Sequence, residues 1–221
     1  MKNIIHITLF ILFIFPIFVY GDTNKITVQK YIETTDDNQI EYNYSVTKIK
    51  TGFLIELSSE FKKEKCITDT AYYCQLWEYS CPAENTKFVA ERKNNVIHLL
   101  GTLEDQKIDI KFKISNSPWL QFWEYGIINM IESNNNRMKF ISIDPNKPEK
   151  AATFKVRNKG MQKININNQK EDAIHFSVSI KGLPAFIFHA DFWLKKDNNL
   201  FLRSEMPQGP FAPVTRFQIS N

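Results

Sequence analysis

Only seven glycines are spread over the 221 residues, and none falls in a phosphate-cradling loop or a Gly-x-Ser-x-Gly nucleophile elbow. The chain has three cysteines, Cys66, Cys74 and Cys81, with no Cys-x-x-Cys pair. A zinc site would ask for closer pairing, and no histidine lies near them in sequence. No basic run is dense enough to track phosphates, and the net charge is only +4, so nucleic acid is not an expected partner. Beyond residue 21 no apolar run is long enough to span a bilayer. These absences remove the familiar signatures of nucleotide enzymes, serine hydrolases and dithiol oxidoreductases.

What is present begins with "MKNIIHITLFILFIFPIFVYG". Lys2 gives a short positive start, Ile7 to Tyr20 is apolar apart from Thr8 and Pro16, and Val19 and Gly21 occupy the positions of a small-residue cleavage site. The pattern predicts a signal peptide over residues 1–21 and export to the periplasm or the medium. No cysteine follows the apolar run, so no lipid anchor is expected. Removing a leader with one lysine and no acid lowers the net charge from +4 to +3. The remaining residues 22–221 suffice for one β domain, which at this size buries about 70% of its unfolded surface without needing disulfides. An oxidising compartment still permits one disulfide among Cys66, Cys74 and Cys81, with the pairing open.

Alternation of apolar and polar residues, separated by short polar turns, runs through most of the chain. Residues 40–49 alternate Ile40, Tyr42, Tyr44 and Val46, and a Thr51-Gly52 turn would set Val46 opposite Leu57 and Tyr42 opposite Phe61. A turn at Asp105-Gln106 would set Ile97, Leu99 and Leu103 opposite Ile114, Phe112 and Ile108, with His98 on the other, lysine-bearing face. An Asn94-Asn95 turn joins the preceding strand. With ten or more such strands, the fold class is mainly β, a curved antiparallel meander forming a half-barrel or open barrel.

One segment breaks the pattern. In "NSPWLQFWEYGIINMIES", Ser117 suits an N-cap and Pro118 the first helical position. Trp119, Phe122, Trp123, Ile127, Met130 and Ile131 follow helical spacing, with Leu120 and Ile128 widening the stripe. The spacing predicts a helix over residues 118–131, although Gly126 costs it about 1 kcal/mol. So apolar a helix belongs in or across the concave face of the sheet. There Trp119, Phe122, Trp123, Ile127 and Met130 would either fill the core, as apolar helical stripes usually do, or line a site for a hydrophobic ligand.

With "PWLQFWEYG" and the late "FWLKKDNNLFLRSEMP" hairpin, residues 25–220 resemble exported, β-rich bacterial proteins that include periplasmic lipoprotein carriers and envelope-sensing domains. The resemblance implies a half-barrel wrapped around helical structure and an apolar concavity able to take up acyl chains. It therefore implies a lipid, acyl chain or lipoprotein as partner, with no cofactor and no catalytic residues.

The densest polar cluster lies in "FIFHADFWLKKDNNLFLRSEMP". Residues two apart share a face, so His189, Asp191 and Trp193 form one row and Phe188, Ala190, Phe192 and Leu194 the other. A turn at Lys181-Gly182-Leu183 would put His175 across from His189. His175, His189 and Asp191 would then supply the ligands of a metal-dependent enzyme with open coordination positions. A turn at Lys196-Asp197-Asn198 would instead give Asp191 to Arg203, His189 to Glu205 and Trp193 to Phe201, an ordinary stabilising ladder. The ladder is the preferred expectation and the metal enzyme the alternative. A further alternative is an envelope interaction module using sheet edges or the loop "PQGPFAP" at 207–213.

Overall fold

The computed structural model describes residues 24–182, 188–207 and 213–220. The signal-peptide segment, part of the turn after Gly182 and most of the 207–213 loop lie outside the described residues. The described strands are β1 (Asn24–Thr35), β2 (Asn38–Ile49), β3 (Gly52–Ser58), β4 (Lys63–Thr68), β5 (Cys74–Cys81), β6 (Thr86–Lys93), β7 (Val96–Leu103) and β8 (Gln106–Lys113). After helix α1 (Trp123–Glu132) come β9 (Arg137–Ile143), β10 (Ala151–Ile166), β11 (Gln169–Ile180), β12 (His189–Lys195), β13 (Phe201–Pro207) and β14 (Val214–Ile219). They form one 14-stranded antiparallel sheet in the order β8 to β1, then β14 to β9. β1 and β14 therefore pair in the middle, while the free edges β8 and β9 are joined by the segment that carries α1.

The sheet is an open, curved meander, as the alternation predicts. Tyr42, Tyr44, Ile55, Leu57, Ile97 and Leu99 are all buried on the predicted inward face, whereas Phe61, expected opposite Tyr42, lies beyond the end of β3 and is exposed. The registers differ by two residues from expectation, with Val46 opposite Ile55 and Leu99 opposite Ile110. The turns centre on Lys50-Thr51 and on Glu104-Asp105, where both residues take left-handed φ values of 47° and 65°. A slip of two preserves which face each side chain occupies.

The helix begins five residues later than its spacing suggests, spanning Trp123–Glu132 in place of 118–131. Ser117 and Pro118 are not its cap and first residue; Phe122 stands at the N-cap without a side-chain cap. Residues 118–120 are instead extended and bridge in parallel to the edge of β9. Leu120 N–H donates to Ile141 O at 2.9 Å, and Ile141 N–H donates to Pro118 O at 2.8 Å. Satisfying an otherwise open strand edge outweighs the capping signal. Gly126 is explained by the same segment, because a Cβ there would lie 2.3 Å from Leu120 Cδ1.

Downstream, β10 is one continuous strand with a bulge between Asn158 and Gly160. Gly160 takes φ 93°, a conformation cheap only for glycine. Beyond this kink the β10–β11 hairpin curls over the outer face of the sheet. Its tip is held by Asn167 Nδ2 donating to Ile219 O at 3.1 Å and Gln218 Nε2 donating to Asn167 Oδ1 at 3.1 Å. Ile164, Ile166, Ala173, Trp193 and Leu202 form a small second core beneath it. Among the described residues no helix is long and apolar enough to cross a membrane.

Candidate functional site

The concave face carries a relay of aromatic rings. Phe53 stacks on Tyr72 at 4.2 Å, followed by Tyr72–Tyr125 at 5.6 Å, Tyr125–Tyr44 at 5.7 Å, Tyr44–Tyr31 at 5.5 Å and Tyr31–Phe217 at 4.9 Å. Such contacts add about 0.5–1.5 kcal/mol each to the area they bury. α1 packs on this surface through its side chains, with Tyr125 in ring contact with Tyr44 and Tyr72. Ile127 and Met130 are buried in that layer, as is Phe122 just before the helix. Trp123 is half-buried and packs on Phe154 at 4.5 Å and Phe140 at 5.3 Å.

Trp119 is fully buried outside the helix. Its carbonyl accepts from Cys74 N–H at 2.8 Å. Gln121 organises the approach to the helix: its Oε1 accepts from Trp119 Nε1 (2.9 Å), Ser142 Oγ (3.1 Å) and Ile143 N–H (2.9 Å). Trp123 Nε1 in turn donates to Ser142 Oγ at 3.0 Å. All five residues expected from helical spacing to line the concavity thus face the interior, on two different kinds of backbone. Two open grooves, of about 540 Å³ across β2–β6 and 530 Å³ across β9–β11, are lined by other residues.

The interior contains an acid that the aromatic stripe concealed. Glu124, in the first turn of α1, is buried, and its Oε1 accepts a short hydrogen bond from Tyr44 Oη. Burial pushes its carboxyl up to about 7, with the Tyr44 hydrogen bond opposing part of that rise. Burial and the nearby Glu124 carboxyl hold Tyr44 and Tyr125 well above the ordinary tyrosine value. Both phenols therefore remain protonated and able to donate. A sequence signal existed: Glu124 lies four residues from both Leu120 and Ile128, on the buried stripe itself.

On the outer face, His175, His189 and Asp191 do come together, though through a different register. His175 lies opposite Trp193, and His189 opposite Ser179, a shift of four residues from the expected alignment. Asp191 Oδ1 lies 2.8 Å from His175 Nε2, and Asp191 Oδ2 lies 3.8 Å from His189 Nε2. His175 stacks on Trp193 at 5.0 Å, and Arg203 lies over the same indole at 4.6 Å. Among the described residues no group of three or more His, Cys, Asp and Glu is arranged to hold a metal ion.

The expected ladder also changes partners, with Asp191 opposite Glu205 and Trp193 opposite Arg203. Two acids face each other, yet each has partners elsewhere: Asp191 hydrogen-bonds to His175, and Glu205 pairs with Arg216 at 3.0 Å and Arg203 at 3.5 Å. The three cysteines are free and buried. Cys66 and Cys74 bring their sulfurs to 2.9 Å across the β4–β5 hairpin.

No protein-family model matches the chain, and no curated protein matches it by sequence. Among solved structures it is similar to a β-barrel-like protein of a domain of unknown function, DUF1849, from Brucella abortus. The TM-score is 0.60 at 10% identity, covering 88% of this chain and 95% of that one. It also matches the hypothetical lipoprotein YmcC from Escherichia coli at TM-score 0.34 and 9% identity, covering 88% of this chain and 84% of that one. MucB matches at TM-score 0.33 and 10% identity, over 90% of this chain and 52% of that one. The fold of this chain is that of the Brucella β-barrel-like protein.

Proposed function

We propose that this chain is an exported, non-catalytic domain that takes up a hydrophobic ligand, such as a lipid, acyl chain or the acyl chains of a lipoprotein, in the concavity beneath α1. The observation that carries the reading is the large apolar and aromatic interior that α1 covers, in which Phe122, Ile127 and Met130 are buried against the concave face. Through side chains, α1 hydrogen-bonds to the strands and their turns at Glu124–Tyr44, Asn129–Tyr73 and Trp123–Ser142. Large rings and aliphatic chains adapt to a guest more readily than interlocked backbones, so α1 acts as a plug that a ligand displaces. Residues 119–123, tied to β9 through Gln121, serve as its hinge.

Incubation of residues 22–221 with oleate, followed by native mass spectrometry, is expected to give a one-to-one adduct. Hydrogen exchange should then rise over residues 123–132 while the strands stay protected. The Ile127→Asp variant should lose the adduct. Absence of an adduct from the folded wild-type domain, or exchange in α1 that oleate leaves unchanged, rejects the plug.

Export also gives the Cys66–Cys74 contact a fate. In an oxidising compartment the two thiols give up two protons and two electrons by exchange with a disulfide oxidant and close a bridge, leaving Cys81 reduced. Burial and the neighbouring Cys66 push the Cys74 thiol up, so the bridge must form before the hairpin is covered. Peptide mapping of protein secreted from an oxidising compartment should find Cys66 linked to Cys74 and only Cys81 alkylated under denaturing conditions. Alkylation of all three would rule the bridge out.

A further inference from the structure

We infer that the outer face of β9–β11 is a binding site for a ligand bearing several phosphate groups. Arg137, Lys139, Lys155, Arg157 and Lys159 are all exposed there and, with Ser177 and Ser179, line the groove of about 530 Å³. Register sets Arg137 directly opposite Arg157, and Lys139 opposite Lys155. On the other side, Ser177 lies opposite Arg157 and Ser179 opposite Lys155. None of the five cations takes part in any of the ion pairs found among the described residues. One strand further across the sheet, Asp191 lies opposite Ser177 and is already shared by His175 and His189.

Like charges directly opposite in a ladder destabilise it, so two such pairs side by side need a reason. Protection of a sheet edge by lysines is one, but it does not account for the pattern. Lys155 and Arg157 lie where β10 is paired with both β9 and β11. The opposite edge, β8, carries Lys107, Lys111 and Lys113 but places Asp109 among them, paired with His98 at 2.7 Å. Edge protection there is mixed in sign, whereas the lining of the β9–β11 groove holds no acid and is backed by the hydroxyls of Ser177 and Ser179. Cations about 5 Å apart across strands and about 7 Å apart along them form a grid that several phosphate oxyanions can occupy together. Bidentate guanidinium contacts and point-charge ammonium groups are both available. No linear run reveals the site, because alternation hides the cations between core residues Phe140, Phe154 and Val156.

Inorganic tripolyphosphate, titrated calorimetrically into residues 22–221 at low salt, is the probe. A parallel arm uses phosphatidic acid vesicles against phosphatidylcholine vesicles. Lys155→Gln with Arg157→Gln should weaken binding at least tenfold and leave the protein as stable as wild type or more so, because two like-charge pairs are relieved. Lys107→Gln with Lys111→Gln, an equal charge change on the β8 face, should leave binding unchanged. Tripolyphosphate binding alone assigns the site to soluble phosphates, and added affinity for phosphatidic acid vesicles assigns it to a lipid headgroup. Equal loss in both double variants, or no affinity in either arm, overturns the site. The site is independent of the interior plug, and oleate uptake should be the same in both double variants.

Discussion

Glu124→Gln is expected to flatten the pH dependence of stability between about pH 4.5 and 7. The wild-type carboxyl is raised from an ordinary 4.5 to about 7 by burial. The folded state therefore holds a proton that the unfolded state has released over that interval. Stability contributed by this proton is fully present below pH 4.5 and is lost as pH rises through about 7. A rise of this size corresponds to roughly 3 kcal/mol. Glutamine keeps the acceptor for Tyr44 Oη and carries no charge, so the variant should match wild type near pH 4.5 and exceed it by up to that amount at pH 8. The groups that face the carboxyl, Tyr44, Tyr125 and the more distant Glu64, remain in place. Urea denaturation across the pH series would check this; parallel profiles for the two proteins would sink it.

The second large effect separates two tryptophans that helical spacing treats alike. Trp119→Ala is expected to cost about 3–5 kcal/mol, the usual range for deleting a fully buried large aromatic. Its indole is 0% exposed, and its Nε1 feeds the Gln121 hub. Trp123→Ala should cost less, roughly 2–3 kcal/mol, because its ring is only half-buried. Were both on one helix face, the losses would be similar. The midpoints of urea unfolding, at unchanged slope, give the comparison directly. Equal losses would contradict the bridge of residues 118–120 to β9.

The contrast shows which features were legible in the sequence. Period-two alternation reports faces, and Tyr42, Tyr44, Leu99, Phe192 and Leu194 all point where it placed them. Register depends on which residues accept a left-handed turn, and moving a turn by one residue shifts every pair by two. That is why Val46 meets Ile55 in place of Leu57. Between β11 and β12 the slip was four, because the connection is longer than the three-residue turn assumed. The helix start was obscured because Ser117-Pro118 has the chemistry of a cap, while the competing partner, the edge of β9, is contributed by residues about twenty positions later. Glu124 was hidden among aromatics, where a charge reads as an exposed exception. The cations of the β9–β11 groove are dispersed at every second position of two strands.

The pairing of β1 with β14 has a consequence for how the chain reaches its final form. Every other strand pairing joins neighbours in sequence, whereas Tyr31 meets Ile219 and Thr34 meets Arg216. As the polypeptide emerges, β1–β8 can assemble early, but its first strand has no second neighbour until the last strand arrives. β14 thus acts as the zipper between two otherwise local ribbons, a step of high contact order and hence slow. The two ribbons β1–β8 and β9–β14 meet in one sheet only through this pairing, so a change that weakens β14 opens the sheet at its centre and not at an edge.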